Sequence, residues 1–336
     1  MFVRLIFSIL VLAFVTSLAW AENTTSAPEG GNYAVRSDVA EYVRTVTSKH
    51  GFKADELKAL LSAVEYRADI IERISKPAEK VWTWARYKRH LVDEQRIAEG
   101  AVFWHKHADT IARAAQTFSV APEIIVAILG IETRYGRITG TYPVLESLMT
   151  LGFDYPPRAS FFRKELTEFL LLAREEDKDP TTLTGSYAGA MGYGQFISSS
   201  YRYYAVDFDD DGVRDIWANP VDAIGSIANY FHRHHWQGDH PRALQVGLER
   251  PLGLEYLDSG LEQTLTVGDY AKLGVGVGNL TENLPAKLYE VTGDEGLEYW
   301  LALPDFYVIT RYNRSHLYAL AVHHLADLIK ARYAAG

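Results

Sequence analysis

The stretch PEIIVAILGIETRYG, residues 122–136, is the most informative part of the chain, because it has the pattern of one short helix that is apolar on most of its faces. Proline is tolerated at the first position of a helix, as at Pro122, and glycine favours the end of one, as at Gly136. The aliphatic residues between them are Ile124, Ile125, Ile128, Leu129 and Ile131. The stretch therefore predicts a short, very apolar helix that has Glu132 one turn from its end.

Helical periodicity continues on both sides of this stretch. Upstream, apolar residues recur at helical spacing from about residue 37 to 118, and the pattern predicts one long amphipathic helix from about Asp93 to Thr117. Downstream, residues 221–236 and 315–335 each have the pattern of one helix. Most of the chain is therefore expected to be helical.

Residues 242–298 have a different character. They contain glycines, turn residues at 292–294, and two short runs of strand-forming residues, 264–267 and 288–291. We interpret this region as a small β-containing insert. The predicted fold class is mainly α, of the α+β kind.

The composition excludes several classes of protein. Of the 336 residues, 48% are hydrophobic and 23% are charged, which is an ordinary globular balance. Lysine and arginine number 34 against 43 acidic residues, so the formal net charge is −9. No nucleic-acid partner is expected, because phosphate contacts need clustered cations. The absence of cysteine excludes disulfides, thiolate nucleophiles, cysteine-bound metals and a lipid anchor on cysteine.

The first 21 residues have the features of a signal peptide. Arg4 precedes an apolar run that lacks acidic residues and ends in Ala19-Trp20-Ala21, a small-x-small cleavage pattern. The alternative is an uncleaved membrane anchor, since the run is nearly long enough to span a bilayer. We expect cleavage after residues 1–21, a flexible leader over residues 22–34, no permanent membrane anchor, and a periplasmic location in a Gram-negative bacterium.

Glu132 is the first candidate for chemistry. Its apolar neighbours and the negative end of the helix dipole both disfavour a charged carboxylate, so we expect a raised pKa. A carboxylic acid that keeps its proton near neutral pH can protonate the leaving oxygen of a glycosidic bond. The alternative, which the spacing alone favours, is a helix-end glutamate paired with Arg134 or Arg137.

The second candidate is the glycine-rich segment GSYAGAMGYGQF, residues 185–196. Its four glycines allow the backbone to approach a flat or bulky group closely. Ser186 and Gln195 offer hydrogen bonds, and Tyr193 offers a ring face. The segment lacks the Lys-Ser/Thr ending of a phosphate-binding P-loop. The alternative is a tight turn with a purely structural role.

The third candidate is DFDDDGVRD, residues 207–215, which matches the front half of an EF-hand calcium loop. The predicted ligands of a structural Ca²⁺ ion are Asp207, Asp209, Asp211, the carbonyl group of Val213, Asp215 and Asp222. The position of the usual bidentate glutamate is taken by Ala218, so Asp222 would have to close the shell. The alternative is a solvated acidic turn, although its aspartates would repel one another without a cation.

Six segments in the same order resemble the lytic transglycosylase B family, whose members cut bacterial peptidoglycan. They are residues 128–136, 152–162 (GFDYPPRASFF), 185–201, 207–215, 219–230 (NPVDAIGSIANY) and 306–315 (FYVITRYNRS). The likeness extends over nearly all of the chain from about Tyr33. It implies a lysozyme-like core at 118–238 that carries the EF-hand-like loop, after a helical domain at 35–117. A small β-containing region would occupy 239–304, and residues 305–336 would return to the core and end in a helix.

The resemblance also implies roles for single residues. Glu132 would be the single catalytic acid and base, and the aspartate loop would be the family's calcium site. The residues that look like parts of a substrate groove are Ser186, Gln195, Tyr230, Tyr312, Asn313 and Arg158. Arg158 matches one of two adjacent arginines of the family, and the other position is Pro157 in this chain.

The reaction that the resemblance implies is non-hydrolytic cleavage of the β-1,4 bond between N-acetylmuramic acid and N-acetylglucosamine in peptidoglycan strands. Glu132 would protonate the linking oxygen and then accept the proton of the C6 hydroxyl group, which gives a 1,6-anhydro product. Tyr193, Tyr230 and Tyr312 would stack on the sugars or hydrogen-bond to them. No organic cofactor is expected. Two alternatives remain, namely a hydrolytic muramidase and a non-catalytic, calcium-binding cell-wall protein.

Overall fold

The computed structural model describes residues 30–76, 82–257 and 260–336. The described part is mainly helical with a small four-stranded sheet, as the sequence predicts, and it also contains a two-stranded ribbon. The predicted signal peptide, residues 1–21, and most of the predicted leader lie outside the described residues. Within them, no single helix is long and apolar enough to cross a membrane, although the helices Ala108–Phe118 and Pro122–Thr133, bent by 116°, pass that test as a pair.

The first helices of the described part are α1 Ser37–His50, α2 Ala54–Ser62, α3 Ala68–Ser75, α4 Trp84–Leu91, α5 Glu94–Lys106 and α6 Ala108–Phe118. The prediction of one helix from about Asp93 to Thr117 is wrong. The chain leaves helical geometry at His107, where φ is −117° and ψ is 26°, and so divides into α5 and α6. The apolar spacing continues across this break, so the pattern does not reveal it.

The remaining helices are α7 Pro122–Thr133, α8 Val144–Asp154, α9 Ala159–Glu175, α10 Ser198–Tyr204, α11 Pro220–Arg233, α12 Leu254–Leu257, α13 Val267–Lys272, α14 Pro304–Tyr312 and α15 His316–Ala334. Helix α7 is the short apolar helix that the pattern of residues 122–136 predicts. Its residues from Glu123 to Gly130 are all buried, because α5, α6, α11 and α15 pack around it. A helix that is apolar all round needs partners on every side, and α7 has them.

The strands are β1 Tyr142–Pro143, β2 Thr184–Gly185, β3 Ala243–Val246, β4 Leu265–Thr266, β5 Pro285–Thr292 and β6 Leu297–Ala302. Strands β1 and β2 form the ribbon, and the others form an antiparallel sheet in the order β3-β6-β5-β4. The strand-like runs 264–267 and 288–291 contain β4 and part of β5, and the turn residues at 292–294 begin the β5–β6 hairpin. This sheet has a small apolar cluster of its own, which includes Val267, Leu288 and Leu301.

Two histidines of α15 lie partly buried where the sheet, α4 and α15 meet. The ring of His324 lies 5.3 Å from that of Trp84 and 5.0 Å from that of Trp300, measured between ring centroids. Nδ1 of His323 accepts a hydrogen bond of 3.3 Å from Arg242, which requires that nitrogen to carry no proton. Burial lowers the pKa of both histidines to about 4.

We predict that the free energy of unfolding falls as the pH drops from about 6.5 to about 4. In this window the unfolded chain binds protons at the two histidines and the folded chain does not, so protonation favours unfolding. Urea unfolding at a series of pH values should show a loss of up to about 3 kcal/mol from each histidine. The variant His323→Gln/His324→Gln is the control and should lose less stability over the same window. Equal losses in the two proteins would contradict the prediction.

Candidate active site

Glu132 lies half-buried in the last turn of α7. The hydroxyl group of Tyr318, in α15, donates a hydrogen bond of 2.5 Å to its Oε1 atom. Tyr318 is only 2% exposed, and both burial and the charge of Glu132 raise the pKa of its phenol well above the ordinary value. The phenol therefore keeps its proton and fixes the orientation of the carboxyl group.

A second tyrosine, Tyr312 at the end of α14, also lies close to Glu132. Burial raises the pKa of Tyr312 well above its ordinary value, and the negative charge of Glu132 adds to this effect. The hydroxyl group of Tyr312 donates a 2.5 Å hydrogen bond to the carbonyl oxygen of Gly194. Its ring stacks on that of Phe231 at a centroid distance of 5.7 Å. Tyr312 therefore connects α14 to the glycine-rich segment beside Glu132.

The two arginines considered as partners of Glu132 are paired with other carboxylates. Nη2 of Arg134 lies 3.0 Å from Oδ2 of Asp93, and Arg137 forms an ion pair with Glu99. Both carboxylates belong to the region of α5, so both guanidinium groups are drawn towards that helix. The alternative in which Glu132 pairs with one of these arginines is therefore not supported, because both arginines pair with other carboxylates.

The chain leaves α7 through left-handed backbone at residues 134–136, with φ values of 48°, 61° and 86°. At Gly136 a Cβ atom would lie 2.0 Å from the ring of Tyr193, so only glycine fits there. The hydroxyl group of Thr133 donates to the carbonyl oxygen of Tyr193 and accepts from the amide of Gly136, each at 2.9 Å. These contacts hold the end of α7, and with it Glu132, against the glycine-rich segment.

Ser186 and Gln195 use much of their hydrogen-bonding capacity within the protein. The Oγ atom of Ser186 accepts from the amide of Ala190 at 3.0 Å, and Nε2 of Gln195 donates to the carbonyl oxygens of Thr139 and Gly192 at 3.0 Å. These bonds give the segment its shape. The hydroxyl proton of Ser186 and the Oε1 atom of Gln195 have no partner among the described residues, so these two atoms can bind a substrate.

The glycines of the segment make room for groups of the protein itself. A Cβ atom at Gly192 would lie 2.4 Å from the carbonyl oxygen of Ile216, and one at Gly194 would lie 2.9 Å from the hydroxyl group of Tyr312. At these two positions the lack of a side chain therefore allows close contact with a backbone carbonyl group and with a tyrosine hydroxyl group of the protein itself.

A groove of about 380 Å³ opens beside the segment, and we name it the Tyr142 groove. It is lined by residues 137–142 together with Ser186 and Tyr187, and it begins directly after the left-handed turn that ends α7. The rings of Tyr142 and Tyr187 lie 6.5 Å apart, edge to face. Aromatic faces combined with hydroxyl and backbone groups suit sugar rings, which have apolar CH faces and polar edges.

The other predicted groove residues, Tyr230, Asn313 and Arg158, differ from one another in exposure and in contacts. Tyr230 is 6% exposed, and its hydroxyl group donates to the carbonyl oxygen of Arg311 at 2.6 Å, so this side chain packs inside the protein. Asn313 is exposed just after α14. Arg158 is exposed before α9, and its guanidinium group lies 4.3 Å from the ring centroid of Phe161. Among these residues, Asn313 is next in sequence to Tyr312 and therefore stays near Glu132.

Three residues of the aspartate loop form a candidate metal site. Carboxylate oxygens of Asp207, Asp209 and Asp211 all lie within 4.8 Å of one another. Carboxylate oxygens are the ligands that Ca²⁺ prefers. The donor set and its spacing therefore fit a calcium ion.

The other three predicted ligands are outside this cluster. Asp222 is fully buried, and its two oxygens accept from the amides of Phe208 and Asp215 at 2.7 and 2.8 Å. Asp222 thus joins the two ends of the loop. The side chain of Asp215 accepts from the amide of Trp217 at 2.9 Å, and Val213 is 39% exposed.

Tyr318 contacts Glu132 directly but is not among the residues that the sequence predicts for the site. The two residues are 186 positions apart, and no motif marks Tyr318. The one available signal is a phenol within HLYALAV, an apolar stretch of a helix, where a buried hydroxyl group needs a polar partner.

Comparison with known proteins shows extensive similarity. Residues 34–327 match a family model described as the transglycosylase SLT domain. The chain is 39% identical over 311 residues to membrane-bound lytic murein transglycosylase B of Escherichia coli K12, which covers 89% of this chain and 84% of that protein. It is also similar to the solved structure of catenated lytic transglycosylase SltB1 from Pseudomonas aeruginosa, at 46% identity and a TM-score of 0.87, over 90% of this chain and 99% of that one. Lytic transglycosylase Slt35 of E. coli, solved in complex with calcium, is 38% identical, has a TM-score of 0.81, and matches 91% of this chain and 96% of its own.

Proposed function

Since the chain belongs to the transglycosylase SLT domain family and is a lytic transglycosylase of murein, we propose that Glu132 is the single acid and base of its reaction. The observation that carries this proposal is the hydrogen bond from Tyr318 to Glu132 at the tip of a buried helix. A positioned carboxyl group that a protonated phenol holds in place is suited to exchanging protons with a bound sugar.

The reaction needs one proton, which leaves Glu132 and is later replaced. Glu132 donates it to the oxygen between N-acetylmuramic acid and N-acetylglucosamine. The bond between this oxygen and C1 of N-acetylmuramic acid then breaks. The substrate's own N-acetyl group stabilises the positive charge that develops at C1. The Glu132 carboxylate then accepts the proton of the C6 hydroxyl group as that oxygen bonds to C1. The product is a 1,6-anhydro sugar, and no water is consumed.

The surroundings of Glu132 support a reaction with one carboxylate. The acidic side chains that meet the turn after α7 are Asp93 and Glu99, and each is ion-paired with an arginine. The hydrogen bond from the Arg137 guanidinium group lowers the pKa of Glu99 below its ordinary value. Both carboxylates are held by arginines beside α5, whereas a hydroxyl group of the substrate itself is already positioned close to the reacting carbon and is therefore the more suitable nucleophile.

The substrate of this site is the glycan strand of peptidoglycan, and the Tyr142 groove is the surface that would hold it. Tyr193 and Tyr312 would contact the sugars nearest Glu132. The hydroxyl group of Ser186 would donate a hydrogen bond at the groove wall, and the amide oxygen of Gln195, in the adjoining glycine-rich segment, would accept one. Murein lies in the bacterial envelope, and this location agrees with the signal peptide expected at residues 1–21 and with a periplasmic enzyme.

We also propose that Asp207, Asp209 and Asp211 hold a structural Ca²⁺ ion. The spacing of their oxygens and the calcium complex of the similar E. coli protein support this proposal. A bound ion would offset the repulsion between the three carboxylates and stiffen the loop. Asp215, Asp222 and the carbonyl group of Val213 are the further ligands that the sequence predicts.

The Glu132→Gln variant should lose activity by about 100-fold or more, because an amide can neither donate nor accept the proton of the reaction. The measurement is the release of soluble muropeptides from purified sacculi. Glu99→Gln is the matched control, since this nearby carboxylate has no role in the proposed reaction. Full release by Glu132→Gln would overturn the proposal and favour a non-catalytic wall-binding protein.

The Tyr318→Phe variant should show a turnover number that is about tenfold lower, with little change in KM, because the carboxyl group loses the hydrogen bond that orients it. Soluble glycan fragments of murein are the substrate for this measurement. The control is Tyr333→Phe on the same helix, where the ring stacks on Trp104. An unchanged turnover number in Tyr318→Phe would show that the hydrogen bond has no part in the reaction.

Removal of calcium should lower the melting temperature of calcium-loaded protein by roughly 5 °C, because the ion binds the folded state. The measurement is thermal unfolding with and without EDTA. In the variant Asp209→Asn/Asp211→Asn, EDTA should have no effect. A melting temperature that EDTA leaves unchanged in the original protein would indicate a plain acidic turn.

A further inference from the structure

A pocket of about 200 Å³ lies between α14 and residues 260–262, which precede β4. We name it the arginine pocket, and its polar lining consists of Arg311, Arg314, Tyr307, Thr310 and Glu262. Helix α14 provides most of this lining, and Glu262 comes from the other wall. The reaction described above uses none of these side chains.

The arginine pocket contains donors that the protein does not use. The guanidinium groups of Arg311 and Arg314 form no ion pair or hydrogen bond with any described residue, and the same holds for the hydroxyl group of Tyr307. Several other arginines are paired; Arg202, for example, contacts both Glu168 and Glu175. Two arginines against one glutamate leave a net positive charge in the pocket, although the chain as a whole is acidic.

The arginine pocket lies at the end of α14, which also carries Tyr312. Tyr312, whose hydroxyl group binds Gly194 beside Glu132, stands between the two arginines in sequence. The carbonyl oxygen of Arg311 accepts the hydroxyl proton of Tyr230, which fixes the backbone at this point. The end of α14 and the residues just after it therefore carry both Tyr312, which reaches the glycine-rich segment, and the two arginines of the pocket.

We propose that the arginine pocket binds a carboxylate of the peptide attached to N-acetylmuramic acid. This inference rests on the proposed function, because murein is the polymer that brings such peptides beside Glu132. A guanidinium group binds a carboxylate through two parallel hydrogen bonds, and the Tyr307 hydroxyl group supplies another donor. The pocket thus gives the enzyme a preference for strands whose peptides have free carboxylates.

The test compares two substrates and two charge-removal variants. The substrates are native sacculi and sacculi whose carboxyl groups have been amidated with a carbodiimide and excess ammonium ions. The variant Arg311→Gln/Arg314→Gln removes both charges of the pocket. The control variant Arg44→Gln/Lys49→Gln removes two exposed positive charges from α1.

On native sacculi the pocket variant should release product about tenfold more slowly than the original protein, and the control variant should not. On amidated sacculi the original protein should slow to the rate of the pocket variant, whose own rate should not change. Equal rates of the original protein and the pocket variant on native sacculi would overturn the inference. It would also be overturned if the tenfold difference persisted on amidated sacculi. An original protein that releases no product from either substrate would instead contradict the proposed function.

Discussion

The burial of α7 from Glu123 to Gly130 is the constraint on which the rest of the structure depends. Its aliphatic residues leave no face for solvent, so helices from distant parts of the sequence must surround it. One of them, α15, brings Tyr318 to the end of α7, where Glu132 meets its hydroxyl group. The packing that forms the core therefore also assembles the reactive pair, and loosening of that packing would separate the two side chains.

The site is held in place before any substrate arrives. Thr133 joins the end of α7 to Tyr193, Tyr312 joins α14 to Gly194, and Gln195 is bonded to two carbonyl oxygens. A carboxyl group that must donate and then accept a proton gains from such rigidity, since little reorganisation is needed between the steps. The glycines at 136, 192 and 194 make this close packing possible, because a side chain at any of them would collide with a neighbouring group.

The parts of the structure that depend on local sequence are predictable. The apolar helix, the mainly α fold with its small sheet, and the aspartate loop each have a pattern within a few tens of residues, and the family likeness seen in six segments is confirmed by the family match. Features that depend on packing between distant segments cannot be predicted in this way. The break at His107, the pairing of Arg134 with Asp93 and the contact of Tyr318 with Glu132 join residues whose proximity no spacing rule describes. The roles of single residues are predicted only by the resemblance to the lytic transglycosylase B family. Spacing alone favours a Glu132 that is paired with an arginine.

The central claim is that one carboxyl group and the substrate's own hydroxyl group carry out the whole reaction. Digestion of murein in water enriched in ¹⁸O, followed by mass spectrometry of the released fragments, tests it most directly. The account predicts fragments that end in a 1,6-anhydro ring and contain no ¹⁸O. Fragments with a reducing end that carries one ¹⁸O atom would contradict it, because water would then be the nucleophile.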